Sequence, residues 1–165
     1  MRKGRLEVLT TKSKICFVGA NRVGKSSLLS LLQGRDVSTK TEPTVGLEIE
    51  NSILNGKKVN VWDFGGQHRY RFMWQDFLKG TALTVLICDS TEKNLDQTKE
   101  ICAKFSRRLG SKVIAIANKQ DLPGALSAEQ IQKKLGITTY GMSAIRVDLR
   151  GRMRRILEYE MNSSE

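Results

Sequence analysis

Histidine is almost missing from this chain, and with His68 alone no metal site can be built on several histidines. Cysteine is nearly as scarce. Cys16, Cys88 and Cys102 are widely separated and lie within apolar patterns, so neither zinc-ligand spacing nor a disulfide framework is present. They read as small core residues in a reducing compartment. No apolar run approaches the roughly 18 residues that a membrane-spanning helix needs. Repeats, low-complexity tracts and a second domain are also lacking. The basic start Met1-Arg2-Lys3-Gly4-Arg5 is not followed by the apolar stretch and small-residue cleavage site of a secretory signal, and Arg2 stands where N-myristoylation requires glycine. Negative charge is in short supply as well: 17 acidic residues against 28 basic ones leave a net charge of +11. That excess permits attraction to nucleic acid or to an anionic membrane surface and does not choose between them.

The 165 residues suffice for one domain with a buried core, and 39% apolar with 27% charged residues fits a soluble globular chain. Residues 1–12 form a basic tail. Leu6, Val8 and Leu9 could make a short amphipathic patch there, but a frayed tail or strand extension is the preferred reading over a membrane-lying helix. Residues 13–165 read as a single domain. A strand from Lys14 to Val18 enters a glycine-containing loop, and the leucines after Lys25 predict a helix stopped at Gly34. Arg35 to Val45 is polar and reads as a mobile loop. Two strand-like runs flank Asn55-Gly56, a hairpin signal. Strands at Thr84–Cys88, Val113–Ala117 and Thr138–Met142 then alternate with helices at Leu95–Leu109, after Ser127 (with Gln130, a capping box), and around Met153, Ile156 and Leu157. Arg150, Arg152, Arg154 and Arg155 fall on the other faces of that last helix. The predicted architecture is α/β: a mostly parallel six-stranded sheet with one antiparallel edge strand and helices on both faces. Ligands of such sheets sit at the carboxyl ends of the strands.

The stretch Gly19-Ala20-Asn21-Arg22-Val23-Gly24-Lys25-Ser26 has the spacing G-x-x-x-x-G-K-S between a strand and a helix. Backbone N–H groups from Asn21 to Ser27 would face a polyphosphate, Lys25 would reach its β- and γ-phosphates, and Ser26 would offer a hydroxyl to Mg²⁺. Asp63, closing a strand in Trp62-Asp63-Phe64-Gly65-Gly66-Gln67, could hold Mg²⁺ through water. Gly66 offers an unencumbered N–H to a γ-phosphate, and Gln67 could orient an attacking water. A plain turn is the alternative for that segment. In Asn118-Lys119-Gln120-Asp121 the carboxylate of Asp121 would accept from guanine N1–H and its exocyclic amine, a donor pair adenine lacks. Lys119 would lie along the base, and Asn118 would tie this loop to the phosphate loop. Ser143-Ala144 follows the last strand, where the Ala144 N–H could meet guanine O6 or simply lead into a helix.

In this order and spacing the four pieces resemble the Ras superfamily of small GTPases, over nearly the whole chain from Lys14 onward. Pro43-Thr44-Val45-Gly46, the double glycine at Gly65-Gly66 and Asn118-Lys119-Gln120-Asp121-Leu122-Pro123 are similar to the Arf, Arl and Sar group. The resemblance implies a P-loop GTP-binding (G) domain with GTP or GDP and Mg²⁺ as ligands. It also implies that Thr44 ligates Mg²⁺ and that the segments around Thr44 and after Asp63 are switches. Leu47, Trp62 and Phe77 would occupy apolar partner-binding positions, with Leu47 replacing the usual phenylalanine. Asn21 stands in the phosphate loop where Ras has glycine and Arf has aspartate.

The expectation is a monomeric, cytoplasmic GDP/GTP switch of trafficking type. Lys25, Thr44 and Gln67 would carry slow hydrolysis, and an exchange factor, a GTPase-activating protein and an effector would be its partners. With no built-in arginine finger assignable, a partner-supplied arginine could accelerate turnover by roughly 10³ to 10⁵. Arg2, Lys3, Arg5 and the final helix are the candidates for contact with an anionic membrane. Two readings compete: a nucleotide-loaded module whose basic surface engages RNA or ribosomes, although no RNA-binding motif is visible, and a P-loop ATPase or kinase, which would make Asp121 accidental.

Overall fold

Alternation in the run Ser13–Val18, strand β1, divides the core in two. Ile15 and Phe17 face one side of the sheet and Cys16 and Val18 the other, because successive side chains of a strand point to opposite faces. The computed structural model describes residues 13–35, 46–105, 109 and 112–163. The N-terminal tail and Thr44 with most of its polar loop lie outside the described residues.

Helix α1 spans Lys25–Leu32 and is followed by the hairpin strands β2, Leu47–Leu54, and β3, Lys57–Phe64. Asn55 and Gly56 both have positive φ, 52° and 75°, as a two-residue hairpin turn of right-handed twist requires. The remaining strands are β4, Leu83–Cys88, β5, Val113–Ala117, and β6, Thr139–Gly141. Sheet order is β2-β3-β1-β4-β5-β6, with β2–β3 antiparallel and every other pair parallel. β4 is buried along all six residues, as a central strand covered on both faces must be.

On one face, Ile15, Phe17, Val85 and Ile116 pack against α1 and the last helix α5, Arg152–Asn162, through Leu28, Leu32, Met153 and Leu157. On the other, Cys16, Val18, Leu86 and Ala115 meet Trp74, Ile101 and Phe105. Those three come from α2, Trp74–Phe77, and α3, Glu92–Phe105. α3 begins three residues earlier than the apolar pattern suggested, because Thr91 Oγ1 accepts from the Asn94 N–H at 3.1 Å and starts the helix there. Helix α4, Ala128–Leu135, opens on the capping box of Ser127 and Gln130. Cys16 and Cys88 are buried, while Cys102 is only half-buried.

Two features go beyond the sequence reading. The segment after Gln67, to which the sequence assigned no element, forms a 3-10 turn, His68–Met73, running into α2, and Trp74 inserts into the core with 1% exposure. The arginines of α5 do not all face solvent. Arg154 donates to the carbonyls of Ile53 and Leu32, and Arg152 donates to Gly141 O at 2.8 Å, so both bind the helix to the sheet and to α1.

Candidate active site

All the candidate residues that are described lie at the carboxyl ends of β1, β3, β5 and β6. β1 leads into the phosphate loop, which ends at Gly24 with φ 102°, a backbone conformation that L side chains rarely adopt. No side chain caps α1 and no acidic residue stands in its first turn, so its positive end is open to an anion. Lys25 is buried, and its Nζ donates to Gly19 O at 3.2 Å and Ala20 O at 3.0 Å. Burial pulls its pKa from 10.5 down to about 8; the Asp63 carboxylate opposes that fall and the Arg71 guanidinium adds to it. A polyphosphate in the loop would restore the charge that burial disfavours.

Asp63 is fully buried at the end of β3 and accepts from the Ser26 hydroxyl at 2.6 Å on Oδ2. The double glycine that follows is held at three points. Gly65 N–H donates to Gly46 O at 2.7 Å, Trp74 Nε1 donates to Gly65 O at 3.3 Å, and Arg71 donates to Gly66 O from Nε at 3.4 Å and from Nη2 at 3.3 Å. A Cβ on Gly66 would lie 2.6 Å from the backbone of Gly19 and Ala20, so only glycine lets this turn rest on the phosphate loop. Gln67 is half-buried, and its Oε1 accepts from Arg69 Nε at 2.9 Å.

Asn118 donates from Nδ2 to Val23 O at 2.9 Å, while Lys119 reaches Arg22 O at 2.7 Å. Arg22 and Lys119 both have positive φ, 64° and 61°, strain that these cross-links hold in place. The Arg22 side chain is exposed. Ser143 is buried and donates to Asp121 Oδ1 at 2.6 Å, and Ala144 beside it is half-buried. Ser90 and Gln120 complete the loop: Ser90 Oγ donates to Asn118 O at 2.6 Å, and Gln120 Nε2 donates to Ser90 Oγ at 2.7 Å and Leu126 O at 2.8 Å. Arg71, Trp74 and Ser90 were absent from the sequence reading. Only the position of Arg71 and Trp74, just beyond Gln67, hinted at them.

A profile described as the ADP-ribosylation factor family matches residues 3–158. The chain belongs to the ADP-ribosylation factor family. Its relatives include ADP-ribosylation factor-like protein 1 of Saccharomyces cerevisiae, 36% identical over 128 residues covering 75% of this chain and 69% of that protein. ADP-ribosylation factor-like protein 2 of Drosophila melanogaster is 32% identical over 144 residues, 80% of this chain and 78% of its own. ADP-ribosylation factor K of Dictyostelium discoideum is 31% identical over 131 residues, covering 77% and 69%. This Arf-family protein is a GTP-binding switch protein and a GTPase; its ligands are GTP or GDP with Mg²⁺, and effectors, exchange factors and GTPase-activating proteins are its classes of partner.

The residues present fit those ligands. Asn118 Oδ1 is buried with no hydrogen-bond partner among the described residues, an acceptor set between the phosphate loop and the base-reading loop. Ser26 and Asp63 supply hard oxygens, and no group of three or more His, Cys, Asp or Glu forms a cage among the described residues. A hydroxyl and a carboxylate oxygen of this kind suit Mg²⁺, which also keeps waters and takes substrate phosphate oxygens.

Proposed function

We propose that this Arf-family protein hydrolyses GTP slowly on its own, is accelerated by a partner, and regulates a membrane-trafficking-type process from the cytoplasm at an anionic membrane surface. The observation that carries the catalytic half is the engagement of Gln67 by Arg69: the oxygen that would orient water already holds an arginine N–H. In the hydrolytic arrangement Lys25 faces the β- and γ-phosphates, the Gly66 N–H faces the γ-phosphate, and Gln67 turns to the attacking water. When bound, Mg²⁺ would be held by Ser26 and Thr44, with Asp63 acting through water, and would supply positive charge against the negative charge of the phosphates. Asp121 and Ala144 read the base, with Lys119 along it.

A Gln67→Leu protein tests this directly. It should bind GTP as the native protein does and hydrolyse it poorly even with a GTPase-activating protein; undiminished stimulated turnover would refute the role of Gln67. The partner surface is read at Leu47, Trp62 and Phe77, all half-buried. Trp62 and Phe77 rings stand 6.0 Å apart, and Lys14 Nζ lies 3.7 Å from the centre of the Trp62 ring. Loss of the γ-phosphate would free Thr44 and Gly66 and alter this surface. For the membrane, the support is the net charge of +11 and Arg2, Lys3 and Arg5. Co-sedimentation with anionic liposomes that is unaffected by removing residues 1–12 would eliminate the N-terminal contribution.

A further inference from the structure

Gly66 presents a mechanical problem. A glycine peptide plane swings more freely than any other, yet here it must stay against the phosphate loop, where there is no room even for a methyl group. Because the peptide is planar, whatever holds the Gly66 carbonyl also fixes the direction of the Gln67 N–H and the start of the Gln67 side chain. The group that holds it is Arg71, four residues farther on, whose guanidinium donates twice to that one oxygen. Arg71 is half-buried. Its guanidinium carbon stands 5.5 Å from the centre of the Trp74 ring, and the Trp74 indole holds the neighbouring Gly65 carbonyl. Burial lowers the pKa of Arg71, and the negative charge of Glu100 on α3 opposes that fall. A groove of about 360 Å³ lies here, lined by Ala20, Asn21, Gly66, Gln67, Gln97 and Glu100 along with Arg71. Arg71 is therefore beside the phosphate loop, and its charge is felt at Lys25.

We infer that Arg71 is a positioning residue for GTP hydrolysis: it sets the Gly66–Gln67 peptide against the phosphate loop. The inference rests on the reading of Gly66 and Gln67 given under Proposed function. Arg71 touches no reacting atom. It acts through the carbonyl it holds, to which its guanidinium fork donates from two nitrogens.

The test is single-turnover GTP hydrolysis by the full chain loaded with GTP and Mg²⁺, alongside GTP and GDP affinity, for R71A, R71K and Q67L. R71A should hydrolyse about tenfold more slowly with nucleotide affinity within about twofold of native. R71K, which keeps the charge but offers one ammonium in place of a fork, should recover only part of the rate. Millimolar guanidinium should restore R71A, since the groove can admit it, and should not restore Q67L. Should R71A fail to fold, R71M keeps an aliphatic stem on Trp74 and carries the same rate measurement. Native turnover in the Arg71 variants, or slowing only in proportion to lost affinity, would overturn the inference while a defective Q67L leaves the reading of Gln67 standing. Native turnover in Q67L would bring down that reading and this inference together.

Discussion

Ser143 donates its hydroxyl to Asp121 Oδ1 at 2.6 Å, so a buried residue after the last strand aims the exposed carboxylate that follows the strand beside it. On the proposed reading of the base by Asp121, loss of that bond would let the carboxylate rotate away from the donor pair of guanine. Ser143→Ala is expected to weaken GDP binding by about tenfold, and Asp121→Ala by about a hundredfold or more, because it leaves the guanine donors unpaired. Competition of labelled GDP by unlabelled GDP and ATP measures both, and the GDP-over-ATP preference should narrow in the same order.

Lys25 makes affinity and stability respond to pH in opposite directions. With its pKa lowered from 10.5 to about 8 in the nucleotide-free fold, the unfolded chain binds more protons between those values. Stability of the nucleotide-free protein therefore gains from this residue as pH rises through that window. GDP, whose phosphates favour protonated Lys25, should lose affinity across the same window. Melting curves and GDP titrations from about pH 7.5 to about 9.5 on the native protein and Lys25→Met should show both trends, and the variant should lack the part due to this residue.

Gly24 permits no side chain. A Cβ there would lie 2.3 Å from Asn118 Nδ2, in a backbone conformation with φ 102°. Gly24→Ala should cost about 2 kcal/mol or more of stability in urea melts and remove measurable nucleotide binding, since the displaced amide is the one that donates to Val23.

The edge strand offers a cleaner separation of binding from switching. Ile49 is 51% exposed and pairs in register with Trp62. Ile49→Asp should leave stability within about 0.5 kcal/mol and nucleotide affinity unchanged, while capture of a partner on the GTP-analogue form falls well below native. A pull-down comparing GDP and GTP-analogue forms reads this, and equal capture by the variant and the native protein would exclude Ile49 from the surface.

Much of this arrangement was legible in the chain because it rests on local rules. Strand β1 and the loop after it follow from an apolar run meeting a glycine-punctuated turn, and the α4 start from the spacing of Ser127 and Gln130. Asn55-Gly56 announces the hairpin. What escaped is tertiary. Nothing in His68–Phe77 has helical periodicity, and its order comes from Trp74 entering the core and from Arg71 and Trp74 holding the carbonyls of Gly66 and Gly65. Arg152 and Arg154 look like solvated charges in a sequence. They become structural only because the carbonyls of Gly141, Ile53 and Leu32 come within their reach. The roles assigned to Ser26, Asp63 and Asp121 came from chemistry and spacing, whereas the partner that fixes each carboxylate, Ser26 for one and Ser143 for the other, required the fold.

The bond from Asn118 to Val23 joins the loop proposed to read the base to the loop proposed to cradle the phosphates. A nucleotide filling both is, in effect, a bivalent ligand on a rigid frame. Once one half is seated, the other meets its loop at an effective concentration on the order of millimolar or higher, and release demands that both let go together. A partner that pried Asn118 from Val23 would not need to compete for either half. It would only have to let the two loops move apart, and one tight ligand would become two weak ones.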